Sequence, residues 1–260
     1  MKRTRICLNK DDYPQRLHEL LDGAVTYDSS CSIGARVIFI DKDGGYYLKC
    51  SDKGSLRKEA LLTDYFCQKG LGAQVVDYFS DEKDWLLTER VGGEDCTYQD
   101  YLSEPKRLCD TIAIRLRELH ELDFSRCPID HTREYISTVE KNYREGNYDL
   151  SVFSGDMAYS SAEEAYEMFD KNKHLLSSDT LLHGDYCLPN IMLDNWRFSG
   201  FIDLGNGGVG DRHVDLFWGA WTLNFNLKTD EYRSRFFDAY GRDKVDEDMI
   251  RIIAAAEVFG

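Results

Sequence analysis

Most β-prone segments of this chain lie in its first third, and mainly helical periodicity follows, which restricts the fold to the α+β class. A helix is predicted over 56–69, and Gly70 is a suitable residue to end it. Glycines at 44 and 45 indicate a hairpin turn. Five short apolar runs predict strands at 25–27, 35–40, 46–50, 74–79 and 85–89. The first third therefore predicts a small, mostly antiparallel sheet with one main helix after its third strand.

The sequence Val91-Gly92-Gly93 interrupts the strand pattern and is the predicted domain boundary. Short apolar pieces at 191–193 and 201–204 predict a small hairpin farther along the chain. Helices are predicted at 107–122, 163–174, 214–224, 233–240 and 247–259. We therefore expect a bilobal α+β fold, with a β-rich N-lobe over residues 1–91 and a larger, mostly helical C-lobe over residues 92–260. A cleft between such lobes is the usual place for a ligand.

The charge balance excludes one class of partner. The 260 residues include 32 Lys and Arg against 47 Asp and Glu, a net charge of −15, and no Lys/Arg-rich stripe, so nucleic acid is not an expected partner. The acid surplus fits either a solvated surface or the attraction of a polycationic ligand. With 42% hydrophobic residues, the chain is expected to bury a core rather than remain disordered.

Cysteine usage and hydropathy bear on the compartment. Eight cysteines are scattered without a C-x-x-C pair, and the first residues contain no apolar secretory segment. No apolar run reaches the roughly 18 residues that a membrane-spanning helix needs. We therefore expect a cytoplasmic protein with reduced cysteines and no membrane partner.

Two acidic motifs in the C-terminal half carry the strongest chemical signal. HGDYCLPN at 183–190 places Asp185 and Asn190 five residues apart, and GFIDLG at 200–205 supplies Asp203. Each motif alone could be an ordinary turn, because Asp and Gly are common turn residues. Together they offer one potential base and two oxygen ligands, which are the parts that Mg²⁺-dependent phosphoryl transfer needs.

The first third offers complementary residues. Lys49 lies in the predicted strand YYLKC at 46–50, and Glu59 follows ten residues later in the predicted helix. A strand lysine is usually an exposed edge charge, so the two residues are weak signals by themselves. The turn SSCSIG at 29–34 has backbone N–H groups that could close over phosphates, although it lacks the G-x-G-x-x-G pattern.

In combination these motifs resemble those of the aminoglycoside phosphotransferases, small-molecule relatives of the protein kinases, and the resemblance covers nearly the whole chain. HGDYCLPN resembles the family's catalytic loop, and GFIDLG with GVGDRHVDL at 208–216 is similar to its metal-binding segment and the helix after it. The second motif most resembles the branch that phosphorylates the 3′-hydroxyl of kanamycin-like drugs. The resemblance implies a protein-kinase-like fold with a nucleotide-binding N-lobe and a catalytic C-lobe. It also implies a Mg²⁺-dependent kinase that uses ATP or GTP and confers antibiotic resistance.

The resemblance implies a role for each matching residue. Asn190 and Asp203 would hold two Mg²⁺ ions, and Asp185 would accept or orient the proton of the attacking drug hydroxyl. His183 and Asp215 would brace the catalytic loop. The nucleotide would be held by a lysine that contacts its phosphates, a glutamate paired with it, a serine of the phosphate-covering loop and a hinge that binds adenine: Lys49, Glu59, Ser32, Thr88, Glu89 and Val91.

The acceptor side matches the family less completely. An aminoglycoside carries several ammonium groups, so its pocket is expected to be lined by carboxylates. Asp156 lies where the family places acidic substrate contacts, while Glu257 and Phe259 match part of its C-terminal substrate-binding sequence. In that sequence Ala256 replaces a second acid, and Gly260 follows the phenylalanine that usually ends the chain.

Two further departures concern positive charge. Asn206 and Trp221 stand where the family usually has arginines. Trp221, with Trp218 nearby, could stack on a sugar or fill the core. These changes leave the kinase chemistry intact but leave the drug range and the 3′ regiochemistry open.

Two other functions also stay open. The same fold could phosphorylate another small cationic or hydroxylated metabolite or antibiotic, and a non-catalytic nucleotide-binding module is the alternative from a different class. A module without catalysis is expected to lose one of the four polar residues of the kinase motifs, and all four are present: Lys49, Asp185, Asn190 and Asp203. We therefore expect an enzyme, monomeric, with an aminoglycoside as its small-molecule partner.

Overall fold

The computed structural model of the chain describes residues 3–31, 34–151, 153 and 157–260. These residues form two compact units. The first unit runs to Tyr98 and also includes Pro189–Gly205, whereas the second combines Gln99–Leu188 with Asn206–Gly260. The first unit therefore extends past residue 91 and takes in a segment from the C-terminal half of the chain.

In chain order, the strands and helices of the described residues are β1 (Thr4–Ile6), α1 (His18–Leu21), β2 (Val25–Asp28), β3 (Ala35–Asp41), β4 (Tyr46–Asp52), α2 (Arg57–Gln68), β5 (Val75–Ser80), β6 (Lys83–Glu89), β7 (Glu94–Asp95), α3 (Gln99–Leu102), α4 (Pro105–His120), α5 (His131–Glu145), α6 (Ala162–Asn172), β8 (Thr180–Leu182), β9 (Ile191–Asp194), β10 (Arg197–Phe201), β11 (Gly208–Gly210), α7 (His213–Leu227), α8 (Tyr232–Tyr240) and α9 (Glu247–Glu257). Short 3₁₀ turns join several of these elements.

The first unit is built on an antiparallel sheet with the strand order β1-β2-β3-β4-β6-β5. All five predicted strands are present, and α2 follows β4 as predicted. The sixth strand, β1, is not predicted, because its three mostly exposed residues give no alternating pattern. It joins the sheet by pairing with β2, where Thr4 lies opposite Asp28.

Alternation along β4 sends successive side chains to opposite faces of the sheet. Leu48 and Cys50 are buried on one face, so Lys49 between them points to the other. On the buried face the apolar core includes residues of three strands and of the N-terminal segment: Tyr13, Leu17, Leu21, Ile38, Ile40, Leu48, Cys50, Trp85 and Leu87. The register of β4 thus follows from this core and fixes the side on which the lysine lies.

A second sheet of the first unit has the strand order β10-β9-β7. Strands β9 and β10 form the predicted hairpin, but β10 spans Arg197–Phe201, so its second strand lies earlier than the predicted 201–204. Strand β7 can pair with β9 because Gly93 allows a close backbone approach. This glycine has a φ of +83°, and a Cβ there would lie 2.1 Å from the carbonyl oxygen of Leu193. The Gly92-Gly93 break therefore permits a tight contact inside the first unit.

The second unit is mostly helical. Helices α4, α6, α7, α8 and α9 confirm the five predicted helices. Helix α4 packs against α7 and α8, while α9 packs against α6 and α7. Strands β8 and β11 form a small antiparallel sheet in which Gly208 lies opposite Leu182. Across the described ranges, no helix has both the length and the apolar composition that crossing a membrane requires.

Helix α5 is the longest element that the sequence pattern does not predict. Its buried residues are His131, Thr132 and Val139, so its apolar spacing is weak. Its two ends carry clearer signals. Asp130 accepts a hydrogen bond from the N–H of Arg133 at 3.2 Å, and Gly146 ends the helix with a φ of +72°.

Asp84 is a fully buried carboxylate that joins α2 to the β5–β6 hairpin. It accepts hydrogen bonds from the Leu56 N–H at 3.0 Å, the Tyr78 hydroxyl at 3.0 Å and the Ser80 hydroxyl at 2.6 Å. Burial alone would raise the pKa of Asp84, but the hydrogen bonds outweigh burial and lower the pKa to about 2. The start of the helix is therefore held by an ionised side chain.

We expect Asp84→Ala to lower the free energy of unfolding by about 2–4 kcal/mol, because three donors lose their buried acceptor. Chemical denaturation at pH 7 measures the effect, with Glu82→Ala in the neighbouring exposed turn as the control. The folded-state pKa of Asp84 lies below the unfolded value, so its contribution is present at neutral pH and is lost as the pH falls from about 4 to about 2. The difference between wild type and Asp84→Ala should shrink over that range. Equal losses in the two variants at pH 7 would contradict the assignment.

Candidate active site

Lys49 is the centre of a charged cluster in the first unit. Its Nζ lies 2.7 Å from Oε2 of Glu59, on α2, and 2.8 Å from Oδ1 of Asp203, after β10. The lysine side chain is only 20% exposed. Burial lowers the pKa of Lys49, but the two carboxylates outweigh burial and hold the pKa above its usual value. The predicted pairing of Lys49 with Glu59 is confirmed, and the ammonium also bridges to Asp203.

Asp203 has an unusual backbone conformation. Its φ is +58°, in the left-handed region that residues other than glycine rarely adopt. The turn that follows brings Gly205 against α2, where a Cβ on the glycine would lie 3.6 Å from the Cβ of Glu59. The Asp203 side chain is 51% exposed, so its carboxylate contacts Lys49 and still faces solvent.

Asn190 and Asp203 lie on adjacent segments of the first unit. The carbonyl of Asn190 accepts a hydrogen bond from the Ile202 N–H at 3.1 Å, which ties the residue before Asp203 to Asn190. Amide and carboxylate oxygens are hard donors of the kind that Mg²⁺ prefers, and Mg²⁺ sites commonly combine one or two protein ligands with phosphate and water oxygens. The donor set therefore fits Mg²⁺ bound together with a nucleotide.

The predicted hinge residues form one continuous segment at the end of β6. Thr88 is partly buried, and the N–H of Glu89 donates to the carbonyl of Gln74 at 2.9 Å. Val91 packs against Gly200, where a Cβ would lie 3.0 Å from Val91 Cγ1. The segment is thus fixed on both sides by backbone of the first unit.

Ser32 of the predicted phosphate-covering turn lies outside the described residues, but both ends of that turn are described. On one side, the Val37 N–H donates to Oγ of Ser30 at 2.9 Å. On the other, the carbonyl of Gly34 accepts from the Ser51 hydroxyl at 2.7 Å. The turn is therefore anchored to β3 and β4.

Asp215 organises the backbone that precedes Asp185 in the second unit. Its carboxylate is fully buried and accepts hydrogen bonds from the backbone N–H of His183 at 2.8 Å and of Gly184 at 2.7 Å. His120 Nε2 lies 3.1 Å from the same carboxylate. Burial would raise the pKa of Asp215, but these contacts outweigh burial and hold the pKa below its usual value. The Asp185 N–H in turn donates to His183 Nδ1 at 3.3 Å, so the predicted bracing by His183 and Asp215 is confirmed.

Gly184 allows a second close backbone contact. Its φ is +83°, and a Cβ would lie 2.0 Å from the carbonyl oxygen of Asn206. No other residue could fit there without moving the backbone. The turn therefore depends on a glycine immediately before Asp185.

The residues after Asp185 are also anchored. The Tyr186 hydroxyl donates to the carbonyl of Ile112 at 2.7 Å, and the Leu188 N–H donates to Oγ1 of Thr222 at 3.1 Å. Asp185 itself is only partly buried, whereas its neighbours Gly184 and Tyr186 are buried. The loop thus presents one carboxylate from an otherwise fixed backbone.

Glu257, at the end of α9, is a predicted acceptor contact that lies within the described residues. It is partly exposed, and its Oε1 accepts a hydrogen bond from the Tyr135 hydroxyl at 2.8 Å. Burial raises the pKa of Glu257 to about 7, hydrogen bonds from Tyr135 and Trp218 oppose that rise, and the charge of Asp185 adds to it. Glu257 therefore lies within electrostatic reach of the candidate base. Asp156 lies outside the described residues.

Phe259 is a core side chain in the structure. It is 1% exposed and packs edge-on against three tyrosine rings, those of Tyr143, Tyr148 and Tyr166. Its carbonyl accepts a hydrogen bond from the Asn142 side chain at 2.7 Å. Phe259 is expected to contact the substrate, but its ring is buried and packs against tyrosines.

Tyr135 and Trp218 donate hydrogen bonds to Glu257 that no sequence motif indicates. Tyr135 lies on the unpredicted helix α5, and its contact with Glu257 spans 122 residues, so no local pattern indicates it. Trp218 also packs against Trp221, which stacks on Phe225 with ring centroids 4.9 Å apart. The tryptophans therefore take part in packing, and Trp218 additionally donates to a carboxylate.

Comparison with known sequences agrees with this geometry. The profile of the phosphotransferase enzyme family matches residues 32–251. A relative from Lactococcus lactis, named probable aminoglycoside 3′-phosphotransferase, is 52% identical over 100% of this chain and 99% of its own length. An aminoglycoside 3′-phosphotransferase from Niallia circulans is 32% identical over 68% of this chain and 67% of its own.

Comparison with solved structures supports the fold. An aminoglycoside-3′-phosphotransferase of type VIII superposes with a TM-score of 0.76 at 24% identity, covering 96% of each chain. An aminoglycoside phosphotransferase from Streptomyces rimosus, solved with ADP and streptomycin, gives a TM-score of 0.72 at 24% identity over 86% of this chain and 90% of its own. The predicted protein-kinase-like α+β fold is therefore confirmed.

We expect Asp215→Asn to reduce kcat by at least about 100-fold and to cost about 3–5 kcal/mol of unfolding free energy, because it removes a buried charge that holds two backbone amides. Steady-state kinetics and denaturation measure the two effects. Asp248→Asn is the matched control, since that side chain is 89% exposed and its nearest basic partner is 3.8 Å away. A variant that kept wild-type kcat would show that Asp215 does not set the geometry of the loop.

Proposed function

This chain belongs to the phosphotransferase enzyme family, and we propose that it is an aminoglycoside O-phosphotransferase that moves the γ-phosphoryl group of ATP to the 3′-hydroxyl of the drug and so confers resistance. The observation that carries the proposal is the charged bridge of Lys49 to both Glu59 and Asp203. Phosphoryl transfer in this type of fold needs a strand lysine, a helix glutamate and a metal-binding aspartate in one place. The 52% identity with the relative from Lactococcus lactis supports the choice of acceptor.

The nucleotide side uses residues of the first unit. Lys49 neutralises the α- and β-phosphates, and Glu59 keeps its ammonium in place. The Ser32 turn covers the phosphates, and backbone groups of the 88–91 segment bind adenine, with contributions from Thr88, Glu89 and Val91. Asn190 and Asp203 would hold Mg²⁺, which would supply neutralisation of the phosphate charge.

Asp185 acts on the acceptor. Its carboxylate accepts a hydrogen bond from the attacking hydroxyl and takes its proton as the new P–O bond forms, while the bond between the γ-phosphorus and the β-phosphate oxygen breaks and ADP leaves. The transition state of phosphoryl transfer is loose, so most of the rate enhancement comes from positioning rather than from strong base chemistry. The bracing of its loop by Asp215 and His183 supports this role, because the loop must hold one carboxylate in a fixed place.

The acceptor itself is a polycation. Glu257 and Asp156 bind its ammonium groups, and the chain's net charge of −15 favours the encounter. The enzyme acts in the cytoplasm, where its cysteines stay reduced. All eight cysteines lie in the described part of the chain, and none of them forms a disulfide.

We expect purified protein to consume ATP with kanamycin, and not with tobramycin, which lacks the 3′-hydroxyl. Coupled nucleotide assays measure turnover. Asp185→Ala should lose at least about 1,000-fold in kcat while its melting temperature still rises on adding Mg²⁺-ATP, because binding and chemistry use different residues.

The outcomes separate the alternatives. If tobramycin is turned over as fast as kanamycin, the phosphorylated group is a hydroxyl other than the 3′-hydroxyl. If no aminoglycoside is turned over but another alcohol is phosphorylated, the protein is a kinase with a different substrate. Wild-type activity in Asp185→Ala would refute the assignment of the base.

We expect Lys49→Ala to lower kcat/KM for ATP by about 100- to 1,000-fold, because the phosphates lose a buried cation and two carboxylates lose their partner. Lys53→Ala, an exposed lysine of the turn after β4, is the control and should behave as wild type. Removal of Mg²⁺ with EDTA should abolish turnover in all three proteins. Undiminished kcat/KM in Lys49→Ala would contradict the proposed role of the bridge.

A further inference from the structure

Glu257 is held by donors from two other helices of the second unit. The Tyr135 hydroxyl, on α5, donates to Oε1 at 2.8 Å. Trp218, on α7, donates a second side-chain hydrogen bond to the same carboxylate. A carboxylate has several free rotamers when it is unpaired, and two donors from different helices remove most of that freedom.

Both donors are themselves fixed. The Tyr135 ring stacks on His131, one turn earlier in α5, with centroids 5.2 Å apart and an angle of 25° between the rings. The Trp218 ring packs against Phe153 and Phe217, with centroid distances of 6.4 Å and 5.4 Å. Neither donor can follow a displaced Glu257 without losing ring contacts, so the carboxylate has one preferred position.

Burial and a neighbouring negative charge make the ionised form of Glu257 costly. Burial opposes the charge, and Asp185 in the catalytic motif adds electrostatic repulsion, whereas Tyr135 and Trp218 stabilise the charge. A cation bound beside Glu257 and Asp185 would relieve that repulsion. Tyr135 and Trp218 therefore stabilise the ionised carboxylate of Glu257, which is the form that binds an ammonium group.

We propose that Tyr135, together with Trp218, is a positioning residue that holds the Glu257 carboxylate ready to bind an ammonium group of the acceptor. Neither residue is a catalytic residue, since each acts through Glu257. The proposal rests on the proposed function only for the identity of the cation; the hold on Glu257 is a property of the free protein.

The first experiment needs no substrate. The side-chain carboxyl carbon of Glu257 is followed by ¹³C NMR as the pH is raised, in wild type, Tyr135→Phe and Asp185→Asn. Loss of the Tyr135 hydroxyl should raise the apparent pKa of Glu257 by about one unit, and loss of the Asp185 charge should lower it. Tyr148→Phe is the control, because Tyr148 is exposed and contacts Phe259 rather than Glu257.

The second experiment measures the consequence for binding. Tyr135→Phe should raise KM for kanamycin about 10-fold and leave kcat and KM for ATP within about twofold, because the lost contact does not involve the reacting atoms. Glu257→Gln should also raise KM. The double variant should be no worse than Glu257→Gln alone, since Tyr135 acts only through that carboxylate.

The results separate the two levels of the proposal. An unchanged pKa of Glu257 in Tyr135→Phe overturns the positioning role whatever the substrate is. The positioning role is also overturned if adding Tyr135→Phe to Glu257→Gln raises KM by the same factor as Tyr135→Phe raises it in wild type. If the pKa shifts as expected but wild type phosphorylates no aminoglycoside, the positioning role stands and the proposed function fails.

Discussion

The first unit depends on the paired ammonium of Lys49. A mostly buried lysine keeps its charge only if carboxylates surround it, and here they come from α2 and from the turn after β10. The sheet, the helix and the turn must therefore meet at one point. The apolar residues on either side of Lys49 set the face of the strand, and the left-handed backbone of Asp203 is tolerated where the ion pair and the Gly205 contact stabilise the turn.

Buried carboxylates fix the backbone conformation next to the candidate site residues. Asp84 accepts the N–H of Leu56 just before α2, the helix that carries Glu59. Asp215 accepts two N–H groups of the loop that carries Asp185. In each case one fully buried acid accepts hydrogen bonds from the main chain one to three residues before a candidate site residue. Such acids combine strong charge-assisted hydrogen bonds with a low tolerance for loss of either partner.

Sequence patterns predict the strands, helices and motifs whose structure depends on residues close together in the sequence. Strand alternation and helical spacing located β4 and α2, and the kinase motifs located Asp185, Asn190 and Asp203. Strand β1 is too short for a pattern, and α5 has too few buried residues, although Asp130 and Gly146 mark its ends. The contacts of Glu257 with Tyr135 and Trp218 could not be predicted, because they join helices that are distant in sequence and depend on tertiary packing. Burial of Phe259 among tyrosines has the same cause.

The insertion of Pro189–Gly205 into the first unit has a consequence for how the protein is made. During synthesis, the ribosome releases the six-stranded sheet long before it releases β9, β10 and Asp203. Until then Lys49 has only Glu59 as a partner, and β7 has no strand with which to pair. Most of the second unit's α3–α6 region is translated in between. The first unit therefore completes its fold only after residue 205 has emerged, and the two units cannot mature in simple N-to-C order.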